Sequence, residues 1–95
     1  MATLHLIHTN LMTHPELAQQ LNNALSVDDA LLFLAQGIYS LAAQPLAFSQ
    51  AMYVLKSDLQ LTGLLLPELP DIIHTIDYHE FVSLGVRHER SLSWN

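Results

Sequence analysis

Six histidines and nine carboxylates, with no cysteine, are the side chains that could do chemistry in this 95-residue chain. Such a set could hold a metal ion or move protons, provided the spacing converges. His5 and His8 lie three residues apart on a predicted strand, whose period-two pleat sends them to opposite faces. His74 falls within a predicted strand, His79 in the helix after it, His14 near a helix start and His88 near a helix end. No histidine pair has the i, i+4 spacing of a zinc-binding helix, and no cysteine completes a site. Solvated or hydrogen-bonded histidines are expected, and no metal.

The carboxylates are Glu16, Asp28, Asp29, Asp58, Glu68, Asp71, Asp77, Glu80 and Glu89. Three segments read as capping boxes, in which a side-chain oxygen and a Glu or Gln three residues later satisfy free N–H groups. These are Thr13-His14-Pro15-Glu16, Ser57-Asp58-Leu59-Gln60 and Asp77-Tyr78-His79-Glu80. Capping thus accounts for Glu16, Asp77 and Glu80, and Asp58 suits the dipole of a first turn. An acid–base pair among the carboxylates has no marking spacing.

Serine catalysis on a Gly-x-Ser-x-Gly elbow has no matching motif. Gly37, Gly63 and Gly85 are isolated, so no glycine-rich loop cradles phosphate. The lack of cysteine removes disulfides, thiolate ligands and sulfur nucleophiles together. A methionine thioether has no ionisable S–H and carries no persulfide. The residues therefore predict no catalytic group and no cofactor.

Net charge is −6, and Lys56, Arg87 and Arg90 are the only strong cations, too few to displace counterions along a nucleic-acid backbone. No stretch reaches the roughly 20 apolar residues that span a bilayer. Met1–His8 has no basic start before its apolar run and does not read as a signal peptide, so a cytoplasmic protein is expected. Half the chain (51%) is hydrophobic and only 13% is charged, against roughly a quarter charged in an ordinary soluble domain. That shortfall implies surface covered by an oligomer or another chain. Residues 1–95 are expected to form one domain, because two cores would each be too small.

The elements that must position these residues alternate along the chain. Thr3–His8 reads as a strand, followed by a helix with Leu17, Leu21, Ala24 and Leu25 on one face. Ser26–Asp29 is a polar break. Ala30–Leu34 is continuously apolar, as in a strand covered on both faces. Gln36-Gly37 leads into a short helical stretch through Ala43, stopped by Pro45. Ala51–Leu55 is a third buried run, and a short helix then ends near Gly63 or the Leu64–Pro67 segment. Ile72–Ile76 is a fourth strand, and Tyr78, Phe81, Val82, Gly85 and Val86 make one apolar stripe on the last helix. This alternation predicts an α/β layered domain with a mainly parallel sheet flanked by helices. The tail, Arg87–Asn95, places Trp94 where it must fold back or dock into a neighbour. Trp94 is the preferred interface anchor, and Tyr39, after the Gly37 turn, the weaker one.

Laid out in this way, the chain resembles the TusB family and its relative DsrH, within the DsrE/F/H-like sulfur-relay proteins. The likeness is strongest over Ile76–His88 with Trp94 beyond it. Leu4-His5, Ala30–Leu34 leading to Gly37, Tyr53-Val54-Leu55, Asp58-Leu59 and Gly63-Leu64 support it. Departures are Ala2-Thr3 before Leu4, Thr9-Asn10-Leu11 in place of an Arg-Ser-Pro-like stretch, and Gln36-Gly37 in place of Asp-Gly. The resemblance implies assembly with TusC-like and TusD-like subunits into a heterohexamer. There the persulfide cysteine belongs to the TusD-like subunit, and sulfur leaves through a TusE-like acceptor toward the wobble uridine of tRNA. This chain would be a non-catalytic subunit of that bacterial complex, with no direct contact to nucleic acid or membrane. The competing expectation is a homo-oligomeric ligand-binding or regulatory α/β domain, since one fold hosts many functions.

Overall fold

The computed structural model describes residues 2–41, 48–63 and 73–95. In chain order they form β1 (Thr3–Ile7), α1 (Pro15–Ala24), β2 (Ala30–Phe33), a 3-10 helix (Ala35–Leu41), β3 (Ala51–Leu55), α2 (Lys56–Thr62), β4 (Ile73–Ile76), α3 (Tyr78–Arg87) and β5 (Arg90–Trp94). The five strands join in the order β4-β3-β2-β1-β5, and every pairing is parallel. The expected α/β architecture is therefore present. All four residues of β2 are buried, as its unbroken apolar run requires of a strand covered on both faces.

The pleat divides the core in two. Ile7, Leu31, Phe33, Met52 and Val54 pack with Leu21 of α1, Ile38 and Leu41 of the 3-10 helix, and Leu59 of α2. On the other face Leu4, Ala30, Leu32 and Ile76 pack with Leu84 of α3. Three helical elements thus share the first face, while α3 supplies the buried helical contact on the second. Burying Leu84 alone is worth roughly 2 kcal/mol.

One of the three expected capping boxes forms. Asp77 accepts from the Glu80 N–H at 2.8 Å, and the Glu80 carboxylate accepts from the Asp77 N–H at 3.3 Å. At α1 the N-cap is His14, without a side-chain cap, and Pro15 opens the helix. The Thr13 hydroxyl is drawn away, donating to the Asn10 carbonyl at 3.1 Å and lying 2.8 Å from His14 Nδ1. At α2 the helix starts directly from Leu55, with no side-chain cap. Asp58 instead accepts from the Ala35 N–H at 2.8 Å, holding Ala35 at φ 51°, a left-handed conformation unusual for a residue with a Cβ. Gly63, at φ 78°, ends α2 as expected.

The tail takes the first of its two expected courses and folds back, as a fifth strand: Arg90, Leu92 and Trp94 alternate with Ser91 and Ser93, and the segment pairs with β1. The α3 stripe does not face the chain's own core. Leu84 and half-buried Phe81 take the inner side, while Tyr78, Val82 and Val86 are 67%, 49% and 81% exposed. Ala42, Ala43, Pro45, Leu64–Pro67, Glu68, Asp71 and Ile72 lie outside the described residues.

Candidate functional site

The parallel register builds a buried polar network from three separate elements. Leu4 of β1 pairs with Ala30 of β2, so Asp29, one residue earlier, comes beside Thr3 and His5. Ile7 pairs with Trp94 of β5, which brings the indole over the same face of β1 as His5. Asp29 Oδ1 accepts from the Thr3 N–H at 2.9 Å, and Oδ2 accepts from the Ser26 N–H at 3.0 Å. His5 Nε2 lies 2.8 Å from Asp29 Oδ2, and Trp94 Nε1 donates to His5 Nδ1 at 2.9 Å. An indole N–H can only donate. His5 Nδ1 must therefore accept, its proton sits on Nε2, and Nε2–H donates to the carboxylate.

His5 and Asp29 are 1% and 4% exposed, so this polar cluster sits in the core. Its bonds are complete: both imidazole nitrogens and both carboxylate oxygens have partners. Among the described residues no buried side-chain polar atom lacks one. With each of these atoms partnered within the fold, the chemistry of the network is that of a structural tie. It fastens the end of the chain to its beginning.

Burial pushes the Asp29 carboxyl up, but hydrogen bonds from the His5 side chain and from the Ser26 and Thr3 N–H groups, with the field of the imidazole, outweigh it. The carboxyl is held below its ordinary range. A depressed carboxylate stabilises the fold at pH above its unfolded value, and that contribution is lost as pH falls through the folded value. Urea midpoints of the wild-type chain should therefore drop as pH falls below about 4, and Asp29→Ala should show a flatter acid limb. Parallel acid limbs in the two proteins would refute this account.

The carboxyl edge of the sheet, where open α/β folds place ligands, carries two clefts. One, of about 450 Å³, is lined by Thr13, His14, Pro15, Glu16, Leu17, Gln20 and Asn95. His14 Nδ1 there lies 3.0 Å from the Asn10 carbonyl, so the ring is tied to its own loop. The second, of about 260 Å³, is lined by Ala35, Gln36, Tyr39, Asp58, Leu61 and Thr62. Among the described residues no three His, Cys, Asp or Glu side chains are grouped to hold a metal ion. No helix among them is long and apolar enough to cross a membrane.

The two residues singled out as interface anchors lie apart. Tyr39, on the 3-10 helix, is 36% exposed and lines the second cleft. Trp94 is half-buried against its own core and spends its N–H on His5. Asp29 was not singled out, because nothing in a polar break marks one of two adjacent aspartates for burial. The signal available for β5 was the strict alternation of Arg90–Trp94, a half-buried strand pattern.

Two positions that carry the sequence resemblance, His5 and Trp94, thus touch one another. The wider comparison agrees with that resemblance. The family model described as DsrH-like protein matches residues 12–91. Protein TusB of Buchnera aphidicola subsp. Baizongia pistaciae is 34% identical over 79 residues, covering 78% of this chain and 82% of its own. Protein TusB of Pectobacterium parmentieri is 35% identical over 77 residues, covering 73% and 80%. Protein TusB of Photorhabdus laumondii subsp. laumondii is 32% identical over 73 residues, covering 77% and 75%. Matches of this extent place the fold and the sequence in one group: the chain belongs to the DsrH-like family, and proteins named TusB are its relatives.

Proposed function

We propose that this chain is a non-catalytic subunit of a TusBCD-like sulfur-relay complex that supports thiolation of the tRNA wobble uridine in the bacterial cytoplasm. Membership of the DsrH-like family carries the reading. A chain without cysteine has no atom on which to hold a persulfide. The sulfur would ride on the cysteine of a TusD-like subunit, pass to a TusE-like acceptor, and never bond to this chain. Its own part is architectural: it completes the assembly by binding a TusC-like neighbour. The low charge content and the apolar surface left open on α3 support that part. Tyr39 is the better-placed anchor at the carboxyl edge, and Trp94 contributes only the exposed part of its ring.

The test is native mass spectrometry of the chain alone and then with TusC-like and TusD-like proteins of the same organism. A species containing all three supports the proposal. A stable homo-oligomer that ignores both proteins overturns it in favour of a ligand-binding or regulatory domain. Sulfur transfer by the purified chain alone would also overturn it.

A further inference from the structure

The His5 ring fastens the C-terminal strand in only one of its two charge states. Uncharged, it donates from Nε2 to Asp29 Oδ2 at 2.8 Å and accepts at Nδ1 from the Trp94 indole at 2.9 Å. Histidine is the side chain whose charge changes near neutral pH. An incoming proton has one place to go, the Nδ1 lone pair, because Nε2 already carries a hydrogen. Nδ1–H then points at the indole N–H, and two donors form no bond. The two contacts of the ring thus respond in opposite directions. The Asp29 contact becomes an ion pair and tightens, while the Trp94 contact is lost and leaves a donor without an acceptor.

The surroundings decide which partner moves. Asp29 is buried and is fixed by the Thr3 and Ser26 N–H groups. Trp94 is only half-buried, on an edge strand whose other four residues are exposed, so the indole yields. The near end of β5 has its own ties: Arg90 Nε donates to Thr3 Oγ1 at 3.0 Å, and the Glu89 N–H to the Ala2 carbonyl at 3.1 Å. The far end rests on the Trp94 ring and on the His8 N–H, which donates to the Trp94 carbonyl at 3.1 Å. Other charges lie further off. Glu89 and Arg90, opposite in sign, share a cleft with Asp29 at the amino edge of the sheet, and Asp28 is exposed. Leu31 of β2 and Leu92 of β5 flank His5 in register. Helix α1 meets this face through Leu17, Ala18 and Leu21, with its ionisable His14 and Glu16 in the first turn beside Asn95. Among the described residues Asp29 is the one ionisable group bonded to His5.

We infer that His5 is a proton-operated latch on the C-terminal strand: a proton on Nδ1 ejects the indole and frees the Ser93–Trp94 end of β5, while Arg90 keeps the start of the strand on β1. The freed end bares the outer edge of β1 at Leu6 and Ile7, backbone that can pair with an extended segment of another chain.

Trp94 is the only tryptophan, so its fluorescence reports on the latch directly. Hydrogen-exchange protection, normalised to the unfolded chain at each pH, reports on the strand through the His8 N–H at the far end and the Glu89 N–H at the near end. Wild type, Trp94→Phe and His5→Gln are compared between about pH 8 and about pH 5, above the range in which an aspartate titrates. In wild type, falling pH should shift the emission to the red and lower His8 protection at least about tenfold, with Glu89 protection held within about twofold. Trp94→Phe has no donor to eject and should keep His8 protection constant. His5→Gln keeps one donor and one acceptor but does not titrate, so its emission and protection should both stay constant. Constant emission and protection in wild type overturn the latch, as does an equal fall at His8 in Trp94→Phe. Equal losses at His8 and Glu89 overturn it too, because the whole strand then opens. Should His5→Gln fail to fold, Trp94→Phe decides by itself.

Discussion

Replacing Gly37 by alanine should cost the fold about 3 kcal/mol, the upper part of the range for forcing atoms into a packed site. An added Cβ would stand 1.9 Å from the carbonyl oxygen and 2.6 Å from the carbonyl carbon of Ile7. Both are backbone atoms of β1, a strand paired on both sides, so no side-chain rotation can relieve the overlap. The same oxygen accepts from the Leu34 N–H at 3.1 Å, so moving it would break the link between the end of β1 and the segment entering the 3-10 helix. The requirement at Gly37 is space rather than positive φ, which explains a glycine outside any phosphate loop. Urea denaturation of Gly37→Ala against wild type measures the cost. A loss below about 1 kcal/mol would mean that the 3-10 helix shifts freely and is not seated on β1.

A comparable loss, about 3 kcal/mol, is expected for Asp29→Asn, although the side chains are nearly isosteric. The Asp29 carboxylate faces donors with both oxygens, Thr3 N–H at one and Ser26 N–H with His5 Nε2–H at the other. An asparagine has one acceptor oxygen and one donor nitrogen. Whichever way the amide is turned, its NH2 meets a backbone N–H in a buried site, and flipping only chooses which donor is orphaned. Trp94→Phe, which keeps the ring contact and removes only the N–H, should cost about 1 kcal/mol. Long-range proton–nitrogen NMR gives an independent check, since the indole donor places the His5 proton on Nε2. A proton found on Nδ1 would refute the assigned network, as would equal stability of wild type and Asp29→Asn.

The layered parallel fold was legible because its signals are local. The unbroken Ala30–Leu34 run suits a strand covered on both faces, and the structure buries all of Ala30–Phe33. The Asp77–Glu80 box was legible for the same reason, since nothing nearby competes for those side chains. Thr13 has the right residue type but a better partner in the turn at Asn10, and Ser57 falls inside α2, which begins at Lys56, while Asp58 lies in the first turn as expected. Sequence cannot weigh such competition. The α3 stripe shows a related limit: periodicity reveals an apolar side without saying which neighbour covers it, and here Leu84 rather than Val82 meets the sheet. The His5–Asp29–Trp94 tie was the least visible. It depends on register across three strands, and Asp28 and Asp29 are indistinguishable until Leu4 is known to sit opposite Ala30.

The position of β5 also sets a timetable. Its ladder to β1 joins residues such as Thr3 and Arg90, which are 87 apart in the chain. Every other strand pairing joins consecutive strands, with one crossover to close. Loop-closure entropy makes the long-range pairing the slow one, and parallel pairings of high sequence separation slow folding as a whole. On a ribosome β1 therefore emerges first and waits longest, with one edge paired to β2 and the other unsatisfied until residues 90–94 have been synthesised. During that interval His5 lacks the indole donor that completes its bonding. The C-terminal strand thus ends an interval in which a nascent sheet presents an open edge, the feature that invites pairing with other chains.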